Sequence, residues 1–478
     1  MAVFTILALV AATAILIAPE GVALLGLAVL YLNFPGIAVT VHGLPSALAG
    51  ASVLLLAGPL AVRLLRHEPL VVDRSVLLLF TFFGAVLLST FVVQDVPEAI
   101  RWLTTFLLEG LLLYFVAVNL FRTPDRLRRA LNVLVVCGAV LGGLTLYQEA
   151  TRAYDRQFGG LAQRNLEFLL HEENMARDPF RPAQKIAVSN RAGGPVGEPN
   201  RYAQILLVLL PLAFFRARSE ESRKVRIALL AGAALILAGV LLTYSRGGFV
   251  TVVVMAAILA LTRTVRLRTL AWGAAALVLI VLVLAPGYVL RVATLQETPG
   301  LLEGTRESQS EEVMRSRLTE MLAAWSVFVD HPVVGVGPGQ YAPVYSAEYM
   351  SDPDIAYKVI DRPRRAHNLY FELAAETGIL GITTFLALVG WIQVKLWRAW
   401  RRLRDERPDL AGLALGFFVA IWGYLVSAVF LHLSYQRYYW LLLGLAAAAL
   451  HVVTNETMRG RRIRMALDDL RGVVEPAR

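Results

Sequence analysis

Apolar runs of membrane-crossing length recur along the whole chain, separated by short polar or Pro/Gly-rich breaks. Lipid offers backbone N–H and C=O groups no hydrogen-bond partners, so a run of about 20 mostly apolar residues crosses it as an internally bonded helix. The pattern predicts spans near residues 44–62, 75–93, 100–121, 130–148, 201–215, 226–243, 248–262, 269–289, 372–394, 409–431 and 437–454, and two further helices before residue 42. The expected fold is all-α and polytopic, with about 12–13 transmembrane helices. The first run, "FTILALVAATAILIA", lacks a basic leader and continues directly into more apolar sequence, so it reads as a retained helix rather than a signal peptide.

Polar breaks divide the chain further. Residues 1–148 form an N-terminal set of helices, 149–200 a first long loop, 201–289 a central set, 290–367 a large second loop, 368–454 a C-terminal set and 455–478 a basic tail. Inside the second loop, "EEVMRSRLTEMLAAWSVFVDH" carries apolar residues at helical spacing, which predicts an amphipathic helix capping the bundle. Connections this long and polar usually carry function.

Composition agrees with the pattern: 57% of residues are hydrophobic and 17% charged. The net charge of +10 does not point to nucleic acid, because the basic residues fall in blocks between apolar runs, such as "FRTPDRLRR" and "KLWRAWRRLRDER". Such blocks mark the cytoplasmic side, so both long loops are expected on the outer side of the membrane. The only cysteine, Cys137, lies in an apolar run, which leaves no disulfide framework and no thiolate metal site.

Against this rule stand several outward arginines. Arg246, in "SRGG", joins two apolar runs on the outer side, where it is either a snorkelling anchor or a ligand for an anion. Arg191 and Arg201 flank a Gly/Pro turn that feeds a helix through Asn200, a good N-cap residue. Arg315 and Arg317 lie on the amphipathic helix. Guanidinium forks suit phosphate oxygens, so the set suggests a diphosphate site, at a membrane most simply that of a polyprenyl-linked substrate or a lipid head group.

His367 supplies a complementary chemistry. It precedes Asn368, the expected N-cap of the next span, where the positive end of the helix dipole favours a neutral ring able to accept a proton. Glu372, one turn on, is expected either to orient this histidine or to face the bundle interior. Glu109 falls inside a span, where a carboxylate needs a partner, and Arg101 is the candidate. Other candidates are weaker: "HPVVGVGPGQY" lacks a dinucleotide-binding context and reads as a tight loop, and His331, before Pro332, reads as structural. Asp352 and Asp354 lack further ligands and read as a solvated turn, so no metal and no cofactor is expected.

The ordered motifs "LLTYSRGG", "RLTEMLAAWSVFVDHPVVGVGPGQY" and "HNLYFELAAETGILG", following "PN" at a helix start, resemble the O-antigen ligase and O-antigen polymerase superfamily over residues 190–395. The resemblance implies a GT-C-like membrane glycosyltransferase without metal or nucleotide sugar. It would move a glycan from an undecaprenyl-diphosphate carrier to an acceptor hydroxyl on lipid A core or on a growing glycan, the membrane lipids being its other partners. By motif, the catalytic residues implied are His367, Arg246 and Arg317, with Arg191 a further carry-over onto the diphosphate. The residues themselves add Arg201 to that anion site and Asn200, Asn368 and Glu372 in support. One departure is Met321, where the family often has an aromatic one turn after the cap-helix arginine; Trp325 follows a turn later, which keeps Arg315 as an alternative to Arg317. Ligation and chain polymerisation need the same leaving group and base, and transport of a lipid-linked or anionic solute is the alternative of a different class.

Overall fold

The computed structural model describes residues 13–45, 52, 54–163, 191–265, 268, 309–433 and 435–474, and the statements below concern these. They form helices and connecting turns, with no strand among the described residues. In chain order the α-helices are α1 (Pro19–Tyr31), α2 (Phe34–Thr40), α3 (Leu54–Leu65), α4 (Arg74–Ser89), α5 (Val96–Thr105), α6 (Leu113–Leu120), α7 (Pro124–Thr151), α8 (Pro199–Leu207) and α9 (Leu209–Arg218). They continue with α10 (Arg223–Leu242), α11 (Arg246–Leu261), α12 (Gln309–Asp330), α13 (Ser346–Ser351), α14 (Leu369–Leu403), α15 (Pro408–Ser427) and α16 (Gln436–Val474).

Among the described residues, seven helical stretches are long and apolar enough to cross a membrane: Arg74–Val92, Val96–Leu120, Pro124–Thr151, Arg223–Leu242, Leu369–Leu403, Pro408–Ser427 and Gln436–Gly460. α1 and α2 together would make an eighth, bent by 49° between them. The chain is thus an all-α polytopic membrane protein. The run before residue 13 and the span expected over 269–289 lie outside the described residues. The span expected over 201–215 differs from the expectation: it is built as α8 and α9, breaking at Val208. Pro211 is the physical reason, since it has no N–H to give to the Leu207 carbonyl four residues back. Of the seven candidate spans, α15 is the most enclosed, packing against α9, α11, α14 and α16, with 78% of its most apolar window buried.

Sequence signals set the helix starts. Asp73 caps α4 by accepting from Ser75 N and Val76 N, and proline occupies the first turn of α1, α7, α8 and α15, where its missing N–H costs nothing. The first turn of α8 corrects one expectation: its N-cap is Glu198, which accepts from Asn200 N and Arg201 N, so Asn200 lies inside the helix. Pro199 occupies N1, which puts the cap two residues upstream of Asn200. Glu109 also departs from expectation. It lies in a π-helical turn (Phe106–Leu112) between α5 and α6, and pairs with Arg437 at 2.7 Å, whereas Arg101 pairs with Glu98 at 3.0 Å. Residues eight apart on a helix are more than two turns distant, beyond side-chain reach.

α14 begins with a break. Gly378 adopts φ +62°, ψ −165°, which interrupts the ladder of a helix whose peptide groups lie inside the bundle. The loop "HPVVGVGPGQ" closes that break: Val336 N donates to Ala375 O at 2.9 Å, Gly337 N to Glu376 O at 2.9 Å, and Ile379 N to Pro332 O at 2.8 Å. Such close approach excludes side chains; a Cβ on Gly378 would lie 2.2 Å from Val333 O, and one on Gly335 only 2.4 Å from the Glu376 carbonyl carbon. The glycine-rich motif is therefore a helix seal, in agreement with its reading as a tight loop.

Gly378→Ala should accordingly lower stability by about 2 kcal/mol or more, through a forbidden φ and a backbone clash. Gly390→Ala, in the same helix with nothing within 4 Å of its Cβ position, should be neutral or stabilising by up to about 1 kcal/mol. Thermal unfolding of the two purified variants in detergent checks both signs.

Candidate active site

Helix directions alternate, so one end of the bundle gathers the start of α5, the end of α7, the start of α8, the α10–α11 turn, the whole segment 309–368 and the α15–α16 connection. The other end carries the basic blocks of the α7 start, the α9–α10 turn and the α14–α15 turn. Cross-links tie the first end together: Gln340 Oε1 accepts from Gln94 N at 3.1 Å and Asp95 N at 2.7 Å, Tyr435 Oη donates to Val196 O at 3.1 Å, and Asn368 Nδ2 donates to Val429 O at 3.0 Å. His367, Asn368, Glu372, Asn200 and the arginines at 191, 201, 246, 315 and 317 all lie at this end.

α12 lies across this end as expected of a cap, packed on α13 and α14. Ala324 and Val327 of α12 share a small core with Val336, Tyr341, Ala366 and Ala375. This seats Glu320 deep beneath the cap, with its residue 1% exposed. Its carboxylate meets Arg364 Nη1 at 3.0 Å, and Oε2 lies 2.8 Å from His367 Nδ1. That second approach is off the usual hydrogen-bond direction, so Oε2 makes a close charge contact rather than an aligned bond. Burial raises the pKa of this carboxyl, but the close contact with His367 and the hydrogen bond and charge of Arg364 outweigh it and hold the pKa below the ordinary 4.5.

Asn368 caps α14 as expected, accepting from Tyr370 N at 2.9 Å and Phe371 N at 3.0 Å. His367, just before it, has φ +48°, a left-handed conformation uncommon outside glycine. What holds it is Glu372: one oxygen takes the Arg365 Nε hydrogen bond at 2.8 Å, the other accepts from Ala366 N at 2.9 Å. Glu372 therefore fixes the backbone leading into the histidine, while the ring itself faces Glu320. His367 Nδ1 stands between that carboxylate and the Arg365 carbonyl, 3.2 Å away. Two acceptors at Nδ1 place the hydrogen of a neutral ring there and leave the Nε2 lone pair free for a proton, the tautomer inferred from its partners. Glu320 had no signal in the motif reading beyond its place one turn after Arg317; a carboxylate on the apolar face of an amphipathic helix was the mark that it is buried and paired.

The arginines divide by surroundings. Arg246 is the first residue of α11, half-buried, behind the N-cap Ser245, whose Oγ accepts from Gly248 N at 3.1 Å. A cation at the positive end of a helix dipole is unfavourable by itself, so an anion beside the Arg246 guanidinium would relieve this arrangement. The turn before it is anchored: Tyr244 has φ +54°, its hydroxyl donates to Glu149 Oε1 at 3.2 Å, and Arg191 Nε donates to Thr243 O at 2.8 Å. Arg191 also donates to Asn200 Oδ1 at 3.0 Å. Arg191 and Asn200 thus brace the Arg246 turn. Arg317 is half-buried on α12, one turn before Glu320, and Arg315 is likewise half-buried. Arg201 is 4% exposed and grips the α15–α16 connection, donating from Nη1 to the His432 carbonyl at 3.0 Å. Gly247 lies against Phe430 of the same connection, which brings the Arg246 turn beside it.

His432 escaped the sequence reading altogether, since no motif surrounds it. Its ring stands edge to face with His367, centroids 5.5 Å apart at 84°. Burial first, and then the charges of Arg365, Arg201 and His367, hold its pKa well below the ordinary 6.5, so it is neutral. No group of three or more His, Cys, Asp or Glu able to hold a metal occurs among the described residues. The turn at Asp352 and Asp354 is exposed, as expected.

A family model described as O-antigen ligase matches residues 231–386. That segment holds Arg246, Arg317, Glu320, His367, Asn368 and Glu372, whereas Arg191, Asn200, Arg201 and His432 fall outside it. No curated protein matches the chain. The match supports the O-antigen ligase superfamily, and with it a membrane enzyme of the ligase/polymerase type whose partners are in general a lipid-linked glycan and an acceptor.

Because the folded pKa of Glu320 is depressed, its contribution to stability is fully present above the unfolded value of 4.5 and is lost as pH falls through the lower folded value. Glu320→Gln should therefore be less stable than the parent at neutral pH, by roughly 3 kcal/mol for one partner removed from a buried pair. The gap should narrow as pH drops below about 4.5. Melting temperatures of both proteins across that range test this, and a pH-independent gap would exclude a charged Glu320.

Proposed function

We propose that the protein is a metal-independent, inverting membrane glycosyltransferase that transfers a glycan from an undecaprenyl-diphosphate carrier to an acceptor hydroxyl, as an O-antigen ligase or related surface-polysaccharide ligase. The observation that carries this reading is His367 with its free Nε2, oriented through Nδ1 by a buried Glu320 on the cap, at the bundle end that also gathers Arg246, Arg317 and Arg201.

In this mechanism, the acceptor hydroxyl gives its proton to His367 Nε2 as its oxygen attacks the anomeric carbon. The bond from that carbon to the diphosphate oxygen breaks, and its electron pair leaves with the diphosphate. Glu320 stabilises the imidazolium that forms, as a carboxylate behind a catalytic histidine does. Arg246 and Arg317 bind the diphosphate and stabilise its growing charge, with the α11 N-terminus contributing N–H groups. Arg201 and Arg191 support the same anion end, Arg191 and Asn200 by bracing the Arg246 turn. One displacement inverts the anomeric centre. The basic blocks at the opposite end favour a cytoplasmic orientation for it, which puts the active end on the periplasmic face of a bacterial inner membrane.

Purified protein in lipid, supplied with a polyprenyl-diphosphate oligosaccharide, tests the reading. Transfer that appears only when lipid A core or another acceptor is added identifies a ligase, and longer lipid-linked chains without it identify a polymerase. His367→Ala should lower the rate by about 10²–10⁴-fold, the range expected for a general base, and His367→Gln should not restore it, since an amide takes no proton. Normal transfer by His367→Ala at normal abundance would remove the general-base assignment.

A further inference from the structure

Resting on that reading of the site, we infer that His432 is a second working histidine: its Nδ1–H donates a hydrogen bond to the diphosphate oxygen that leaves the sugar, and Arg201 holds the ring for this task. The geometry assigns the tautomer. Arg201 Nη2 lies 3.3 Å from His432 Nε2, and a guanidinium has only donors, so Nε2 accepts and the hydrogen of the neutral ring sits on Nδ1. Arg201 holds the main chain of the same residue through its carbonyl and stacks over the Tyr435 ring at 5.9 Å, so the ring has little freedom.

That leaves Nδ1–H. Although the residue as a whole is partly exposed, Nδ1 is out of contact with solvent and has no hydrogen-bond partner. A buried donor without an acceptor is costly and rare enough to call for a ligand. The ring is edge to face with His367, centroids 5.5 Å apart, which sets the two histidines side by side at the site. Donation from Arg201 to Nε2 polarises the ring and strengthens Nδ1–H, which suits an oxygen that gains negative charge during the reaction. The proton balance is unchanged: the acceptor proton goes to His367 Nε2, the electron pair of the broken bond goes to the diphosphate oxygen, and the hydrogen of His432 stays on nitrogen.

The test compares His432→Ala, His432→Phe and His432→Asn in lipid at saturating acceptor. Asparagine places an N–H near the Nδ1 position, while phenylalanine fills the ring's volume without one. We expect Ala and Phe to lose about 10²-fold in kcat, the effect of removing one donor from a developing oxyanion, with KM for donor little changed, and Asn to recover to within about tenfold of the parent. Equal losses in Asn and Phe, or a loss confined to KM for the acceptor, would overturn the proposal. A second readout needs no turnover: ¹⁵N-histidine spectra of the intact protein should show His432 neutral and protonated at Nδ1, with that proton moving downfield on addition of farnesyl diphosphate. An Nε2–H tautomer, or no response to farnesyl diphosphate while the protein still binds it, would overturn the assignment even if transferase activity stands; loss of all transferase activity in the parent protein would instead remove the functional reading.

Discussion

Everything at the active end depends on how the protein closes a helix that it breaks. Inside a bilayer an interrupted helix leaves peptide groups with no water to bond, at a cost of several kcal/mol each. α14 is interrupted at Gly378, and among the described residues the loop between α12 and α13 supplies the groups that bond across the break. The cap helix is thereby fastened to the membrane bundle by main-chain hydrogen bonds rather than by side chains alone. Glycines at 335, 337 and 378 permit this contact because a Cβ at any of them would collide with the opposing chain or a packed side chain.

Once the cap is fastened, one buried carboxylate organises the charged groups beneath it. Glu320 meets Arg364 from the loop and His367 from the threshold of α14, so three segments converge on it. A carboxylate so enclosed stays ionised only because positive partners surround it. A second pair, Glu372 with Arg365, holds the strained backbone of His367 from the other side. The histidine is thus oriented at its ring by the cap and at its main chain by the span. The two carboxylates divide that work between them.

Opposite the histidine, the arginines are anchored to different degrees, and the difference suggests different duties. Arg191 is spent on the Thr243 carbonyl and Asn200, and Arg201 on His432. Arg246 heads a helix whose first N–H groups face the same way as an anion site would need. Bracing by Tyr244, Glu149 and Arg191 keeps that head in place despite an unfavourable φ. The Arg246 turn is therefore supported by the first long loop as much as by the membrane helices.

Much of this was legible in the order of residues. The continuous apolar runs of about 20 residues determined the all-α membrane fold, because a run of that length and pattern satisfies its backbone in lipid as a helix. Asn368 announced its cap, the glycine-rich motif its loop, and the arginines and His367 their common end through the alternation of spans. What the sequence could not determine is pairing between segments distant along the chain, since periodicity reports which face is buried and not what it meets. The partner of Glu109 is Arg437 and not the nearby Arg101; the partner of His367 is Glu320 and not the nearby Glu372. Likewise His432, isolated in a short connection without a motif, joins the site only because α15 and α16 bring it against His367 and Arg201. Only the tertiary structure decides such contacts, because the energy of a buried charge depends on which opposite charge the fold places within a few ångströms of it.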